Sequence, residues 1–251
     1  DQMSFEDLEI IIDGNGTQEI HFAKDGTLMV VGSGSFDNDP QDLGVATGKL
    51  LRVNPNGSIP KNNPFLPNPD ALPEIYTLGH RDISGFDTHP VTGEVWISEH
   101  GPRGGDELNI IRPGGNYGWK VISYGTEYSG DQIGDGTGVR DGMRQPAYFW
   151  RPGITPSGLL FYTGEMFPEW EGSVFVSGLS GAHMTRLVIK EDRVVAEERL
   201  LVDRNDRIRE IRMAPDGGLY VLTNEPSGTP PGTAELLRIS RPEPGSDSTR
   251  D

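Results

Sequence analysis

The sequence contains no cysteine, which excludes disulfides, thiolate zinc sites and cysteine nucleophiles. No apolar run approaches the length of a membrane span. Histidine is scarce; none of the five falls in a metal-binding spacing such as His-Glu-x-x-His. Ser157 lacks the glycine-flanked elbow of a serine hydrolase nucleophile. Positive charge is short too: 22 Lys and Arg stand against 38 Asp and Glu, a formal net charge of −16. Such a chain should repel nucleic acid and anionic membranes, so neither is expected as a partner. Long helical periodicity is also missing. The charged stretch from Glu191 to Val202 reads better as a hairpin.

What the chain has instead is turns. Its 34 Gly and 20 Pro sit between short apolar runs rather than in low-complexity tracts, which indicates a folded, turn-rich, all-β protein. One pattern occurs four times, a turn ending in Gly followed by a short apolar strand. The copies are Asp25-Gly26 before Leu28 to Val31, Thr92-Gly93 before Val95 to Ile97, Glu171-Gly172 before Val174 to Val176, and Asp216-Gly217 before Leu219 to Val221. Asp-Gly and its relatives favour hairpins because Gly takes positive φ without a steric penalty.

Further strands precede the turns at 19–22, 84–87, 158–161 and 208–211. Others follow at 49–53, 107–111, 185–189 and 235–239. Repeated units of three or four antiparallel strands are the pattern of β-propeller blades. A β-sandwich would explain the strands but not the repeated turn–strand grammar. The spacing from Gly172 to Gly217 suits one blade; the two longer intervals imply inserted loops, which often line a functional face.

The most informative insertion runs from Ser98 to Asn109, through Glu99-His100-Gly101-Pro102-Arg103-Gly104-Gly105-Asp106-Glu107, and on to Tyr117-Gly118-Trp119. Hard cations such as Ca²⁺ take carboxylate and carbonyl oxygens from such glycine-rich loops, with Asp106 and Glu107 as carboxylate candidates. A tight surface loop with solvated acids would read the same way. Three basic clusters suit an anionic ligand: His80-Arg81, Arg103, and Arg207-Ile208-Arg209. On a strand Arg207 and Arg209 point to the same face, and a guanidinium fork matches carboxylates, although a solvated pair has the same spacing.

Several motifs in order resemble the soluble aldose sugar dehydrogenases that use pyrroloquinoline quinone (PQQ), the glucose/sorbosone dehydrogenase family. They are Gly48-Lys49-Leu50-Leu51-Arg52, Gly79-His80-Arg81-Asp82, the segment from Ser98 to Asn109, Asn116-Tyr117-Gly118-Trp119, Pro156-Ser157-Gly158-Leu159, and Arg207-Ile208-Arg209 through Asp216-Gly217. The resemblance implies a six-bladed propeller architecture of which residues 1–240 would supply about four blades, the N-terminal ones being absent. Residues 241–251 would form a polar tail.

By position, the resemblance places Arg81, Asp82, Tyr128, Gly178, Leu179, Arg207 and Arg209 at PQQ, with Asp82 standing where the family usually has Asn. It makes Gly101 and Pro102 carbonyl donors to a catalytic Ca²⁺, and assigns Glu107 and the Tyr117 carbonyl to a second, structural Ca²⁺. The family's catalytic His base maps onto Asn15, and a Lys near the cofactor onto Ser180. The implied reaction oxidises an aldose at C1 to the lactone, passing hydride to the quinone and electrons to an external acceptor, in a periplasmic or secreted protein. Asn15 and Ser180 favour an alternative, a non-catalytic calcium-binding propeller that binds a sugar or a protein. The resemblance leaves the sugar, the acceptor and the oligomeric state open.

Overall fold

The computed structural model describes residues 9–12, 19–32, 39–225 and 232–242. Asn15 lies outside them, as do residues 243–251 of the expected tail. Among the described residues fifteen strands run in sequence with two short 3-10 turns between them, at Pro168–Trp170 and Val202–Arg204. Among the described residues no helix is long and apolar enough to cross a membrane.

The strands form four antiparallel sheets, each a meander in chain order. The first holds β1 (Ile20–Phe22), β2 (Leu28–Val31), β3 (Lys49–Val53) and β4 (Ile75–Leu78). The second holds β5 (Ile83–Thr88), β6 (Val95–Glu99), β7 (Asp106–Ile110) and β8 (Tyr148–Trp150). The third holds β9 (Pro156–Phe161), β10 (Val174–Gly178), β11 (His183–Lys190) and β12 (Arg193–Leu200). The fourth has three strands, β13 (Arg207–Met213), β14 (Leu219–Asn224) and β15 (Leu236–Ile239). Four consecutive meanders of this kind are propeller blades, in line with the expected all-β fold and blade number.

The turn chemistry explains the repeat. Gly26, Gly93, Gly172 and Gly217 all take positive φ, at 80°, 73°, 71° and 84°. The Asp25 carboxylate accepts hydrogen bonds from the Thr27 amide at 3.0 Å and hydroxyl at 2.6 Å, closing the turn from inside. The stretch from Glu191 is a hairpin as expected: Glu191 and Asp192, both at positive φ, join β11 to β12. The outer strands β4 and β8 escape the sequence reading because no Gly turn announces them and both are short.

The chain divides into two compact units. The first comprises Asp1–Ile83, Ile111–Ser123 and Gln132–Gln145. Its core is Val30, Leu51 and Ile75, with Leu28, Phe65 and Leu72 packed around them. The second comprises Ser84–Ile110, Tyr124–Asp131 and Pro146–Asp251. Trp96, Leu108, Trp150, Leu159, Phe161, Val174, Val176 and Leu187 fill the space between its first two sheets. A second cluster, around Tyr162, Phe175, Met184, Ile208 and Ile211, joins the next sheet. Each fully buried aliphatic or aromatic side chain contributes roughly 1.5–3 kcal/mol. Arg241 donates to both carboxylate oxygens of Glu169 (2.7 and 2.6 Å) and lies over the Phe167 ring.

Candidate functional site

In the second unit, the loop after β6 is built on close backbone approach. A Cβ at Gly101 would lie 2.1 Å from the Gly104 carbonyl oxygen, and one at Gly105 would lie 2.3 Å from the Gly125 amide. The loop is fastened by Asp106, whose side chain is buried. Its Oδ1 accepts from the Gly101 amide at 2.7 Å, and its Oδ2 from the amides of Ile154 and Thr155, each at 2.7 Å. Three backbone donors thus occupy the Asp106 carboxylate. This corrects its reading as a cation candidate: Asp106 holds up the loop that carries Gly101 and the buried Pro102.

Glu107 is placed differently. It sits on β7 directly opposite Glu99 on β6, and the Asn109 side-chain amide donates to Glu99 Oε1 (2.8 Å) and to Glu107 Oε2 (3.0 Å). Burial, and then the charge of Glu99, push the Glu107 carboxyl well above the ordinary carboxylate range. Oδ1 of Asn109 is buried with no hydrogen-bond partner. The two opposed carboxylates thus share one amide nitrogen. Glu99 and Asn109 carry no separate sequence signal; only the strand register brings them to Glu107.

Arg186, Arg199, Arg204, Arg212, Arg238 and Arg241 each pair with a carboxylate. Arg207 and Arg209 have no carboxylate partner among the described residues. Arg207 is half-buried and its Nε is buried without a hydrogen bond; Arg209 is exposed, donates to Ser157 Oγ at 3.4 Å and accepts from Ser177 Oγ at its carbonyl. The shared-face expectation needs correcting. The register slips between Ile208 and Glu210, making Arg209 the extra residue of a β-bulge, and the buried Ile208 and Ile211 fall three apart. The two guanidinium groups therefore occupy different depths.

Next to them, Gly178 ends β10. Leu179 is buried and donates its amide to Thr155, while Ser180 and Gly181 donate theirs to Ile154. The Ser180 and Thr155 hydroxyls are hydrogen-bonded at 2.6 Å. Tyr128 is 72 % exposed on the loop between Tyr124 and Asp131.

The first unit carries the remaining candidates. Arg81 is buried and lies over the Trp119 ring at 5.4 Å. Asp82 follows it half-buried. Tyr117 is buried, stacks on His80 at 4.7 Å, donates its amide to Leu78 and accepts at its hydroxyl from the Arg112 amide. Gly79, at φ 76°, lets the chain pass Asn116, whose Oδ1 would lie 2.4 Å from an added Cβ.

Known proteins share this fold and sequence pattern. The family model described as "Glucose / Sorbosone dehydrogenase" matches residues 11–238. The aldose sugar dehydrogenase YliI of Escherichia coli is 38 % identical over 214 residues, covering 85 % of this chain and 56 % of that protein. A crystal structure of a glucose dehydrogenase superposes with a TM-score of 0.82 at 39 % identity, over 89 % of this chain and 64 % of that one. The PQQ-bound aldose sugar dehydrogenase of Streptomyces coelicolor gives a TM-score of 0.69 at 27 % identity, over 90 % of this chain and 63 % of that one. The chain spans about half the length of the curated relatives it matches. The chain belongs to the glucose/sorbosone dehydrogenase family.

Proposed function

We propose that this chain carries part of the cofactor- and cation-binding apparatus of a PQQ-dependent dehydrogenase that oxidises an aldose at C1 to the lactone. The observation that carries this reading is the pair Arg207 and Arg209, left without carboxylates among the described residues of a chain that has an excess of them. A buried guanidinium nitrogen with no acceptor costs stability unless a ligand supplies one. PQQ bears carboxylates and suits both groups. When bound, it supplies the hydride-accepting quinone.

The chain's own residues bind and orient. Arg207 and Arg209 hold carboxylates. Leu179 donates its amide hydrogen bond to Thr155 and Gly178 pairs with Pro156 across β9, so that their backbone presents a rigid edge to the cofactor. Gly101 and Pro102 offer carbonyls to Ca²⁺, on the loop that Asp106 holds in place. Tyr128 contributes an exposed ring. Arg81 and Asp82 as cofactor contacts, and the Tyr117 carbonyl as a cation donor, enter the proposal from the resemblance alone. The proton on the sugar C1 hydroxyl needs a base; Asn15, at the position of the family's His, has no basic atom at neutral pH. By the same kinship, the substrate is a soluble aldose, the electrons leave to an external acceptor and the protein works in the periplasm or outside the cell.

The test is a calorimetric titration of PQQ into the Ca²⁺-loaded protein, with dye reduction by aldoses followed in parallel. Saturable binding with turnover supports the dehydrogenase. Saturable binding without turnover supports a degenerate quinoprotein, and absence of binding overturns the cofactor reading in favour of a propeller that serves another partner.

A further inference from the structure

The turn that joins β10 to β11 is held from two sides. On one side its amides donate to the segment before β9: Leu179 to the Thr155 carbonyl at 3.0 Å, and Ser180 and Gly181 to the Ile154 carbonyl at 3.1 and 3.0 Å. The amides of Ile154 and Thr155 in turn donate to Asp106 Oδ2. On the other side the Gly181 carbonyl is bonded to Nδ1 of His183 at 2.5 Å. A carbonyl oxygen has no proton to give, so Nδ1 carries the hydrogen and donates it. His183 is 5 % exposed, and its Nε2 is buried without a hydrogen-bond partner. The bond to Gly181 is therefore the one hydrogen bond of this imidazole among the described residues. A side chain that only filled space here would carry no polar atoms, because burying them unbonded costs stability. The fit around the bond is close: a Cβ on Gly181 would lie 2.9 Å from both His183 Cε1 and Ile154 Cβ. His183 also pairs with Gly178 across β10 and β11, and Ala182 in the turn takes a φ of 52°. A non-glycine residue stays in that region only where its surroundings hold it.

We propose that His183 is a positioning residue for the cofactor: its Nδ1–H fixes the Gly181 carbonyl, and with it the turn whose Gly178 and Leu179 backbone faces PQQ. This role rests on the proposed function and adds to it a residue outside the motifs that mark the family. Among the described residues no other donor bonds to the Gly181 carbonyl. Without the imidazole, that carbonyl is free to swing, Ala182 is free to leave the left-handed region, and the turn hangs from Ile154 and Thr155 alone. Binding PQQ must then reorder the turn, and the ordering is subtracted from the affinity. His183 touches neither cofactor nor sugar in this arrangement; it acts through Gly181.

The experiment compares the wild type with His183→Leu and His183→Asn. Leu keeps the bulk and loses the donor; Asn puts an amide Nδ2–H where Nδ1–H stands. Three quantities are read: hydrogen exchange of the Ser180 and Gly181 amides by NMR, PQQ affinity of the Ca²⁺-loaded protein by calorimetry, and melting temperature without cofactor. His183→Leu should speed exchange of the two amides roughly tenfold or more. It should weaken PQQ about fivefold or more. It should melt within about 3 °C of the wild type, since the loss of one bond is set against removal of the unbonded Nε2. His183→Asn should restore slow exchange and most of the PQQ affinity. Wild-type exchange and affinity in His183→Leu overturn the role. Equal losses in both variants, with a matching fall in melting temperature, assign His183 to packing and overturn it too. A wild type that does not bind PQQ overturns the proposed function and the cofactor role with it; the exchange rates then decide separately whether His183 holds the turn.

Discussion

The Tyr148 hydroxyl on β8 donates to the Glu197 carboxylate on β12, so a side-chain hydrogen bond joins two successive sheets of the second unit. Burial and this bond push the Tyr148 hydroxyl up to about 12. Burial alone would raise Glu197, but the Tyr148 hydroxyl and Arg199, with a smaller contribution from His183, outweigh it and hold the carboxyl below its ordinary 4.5. Arg199 Nε donates to Glu197 Oε1 at 2.8 Å.

The sign of the pH dependence follows. A carboxyl with a depressed folded pKa contributes stability that is present above its unfolded value, near 4.5, and is lost as pH falls through the lower folded value. Glu197→Gln should therefore lower the melting temperature at pH 7 by a few degrees, about 1 kcal/mol for a charge-assisted bond at a partly exposed site. Melting curves from pH 3 to 8 should show the gap closing below about pH 4. A gap of constant size across that range would assign Glu197 to packing alone.

Removal of Arg207 should cost ligand binding rather than stability. Arg207→Gln should weaken PQQ roughly tenfold or more, the loss of a charge-assisted contact worth at least ~1.4 kcal/mol. Its melting temperature without cofactor should stay level or rise, because a buried unsatisfied nitrogen is removed. Arg204→Gln, a cation that already pairs with Asp206 and Glu235, is the control and should leave PQQ affinity unchanged.

Asp106 should behave as a structural anchor. Asp106→Ala leaves the amides of Gly101, Ile154 and Thr155 without their acceptor and should destabilise the fold by about 3–5 kcal/mol. Denaturant titrations should give the same loss in Ca²⁺ and in chelator. A loss confined to Ca²⁺ would make Asp106 a ligand after all.

Asn15→His should raise dye-linked aldose oxidation in the PQQ- and Ca²⁺-loaded protein. A positioned general base contributes about 10²–10⁴-fold, so even an imperfectly placed imidazole should give at least about a tenfold gain. Equal rates for the two proteins would remove the support for position 15 as the base position.

The parts of the fold legible in the sequence are those fixed by local chemistry. The four Gly turns had to be turns, because their glycines take a φ that other residues adopt only under strain. The strands after them followed from short apolar runs. The outer strands β4 and β8 were not legible, since what makes them strands is the neighbour they pair with rather than their own composition.

The candidate site shows the same division. Arg207 and Arg209 were visible as a basic pair, but the bulge at Arg209 was not, because a register slip belongs to the pairing of β13 with β14. Asp106 and Glu107 read alike as neighbouring acids on a glycine-rich loop. Alternation on β7 turns one toward the backbone of Ile154 and the other toward Glu99.

The sequence by itself determined the all-β class, the blade repeat, the absence of thiol chemistry and the family motifs, because each depends on residue type and order. Tertiary structure alone decided which charges are compensated. Whether a carboxylate meets three amides, another carboxylate or an arginine depends on strand register and on which sheet packs against it. That pairing leaves Arg207 with a buried Nε that no hydrogen bond satisfies.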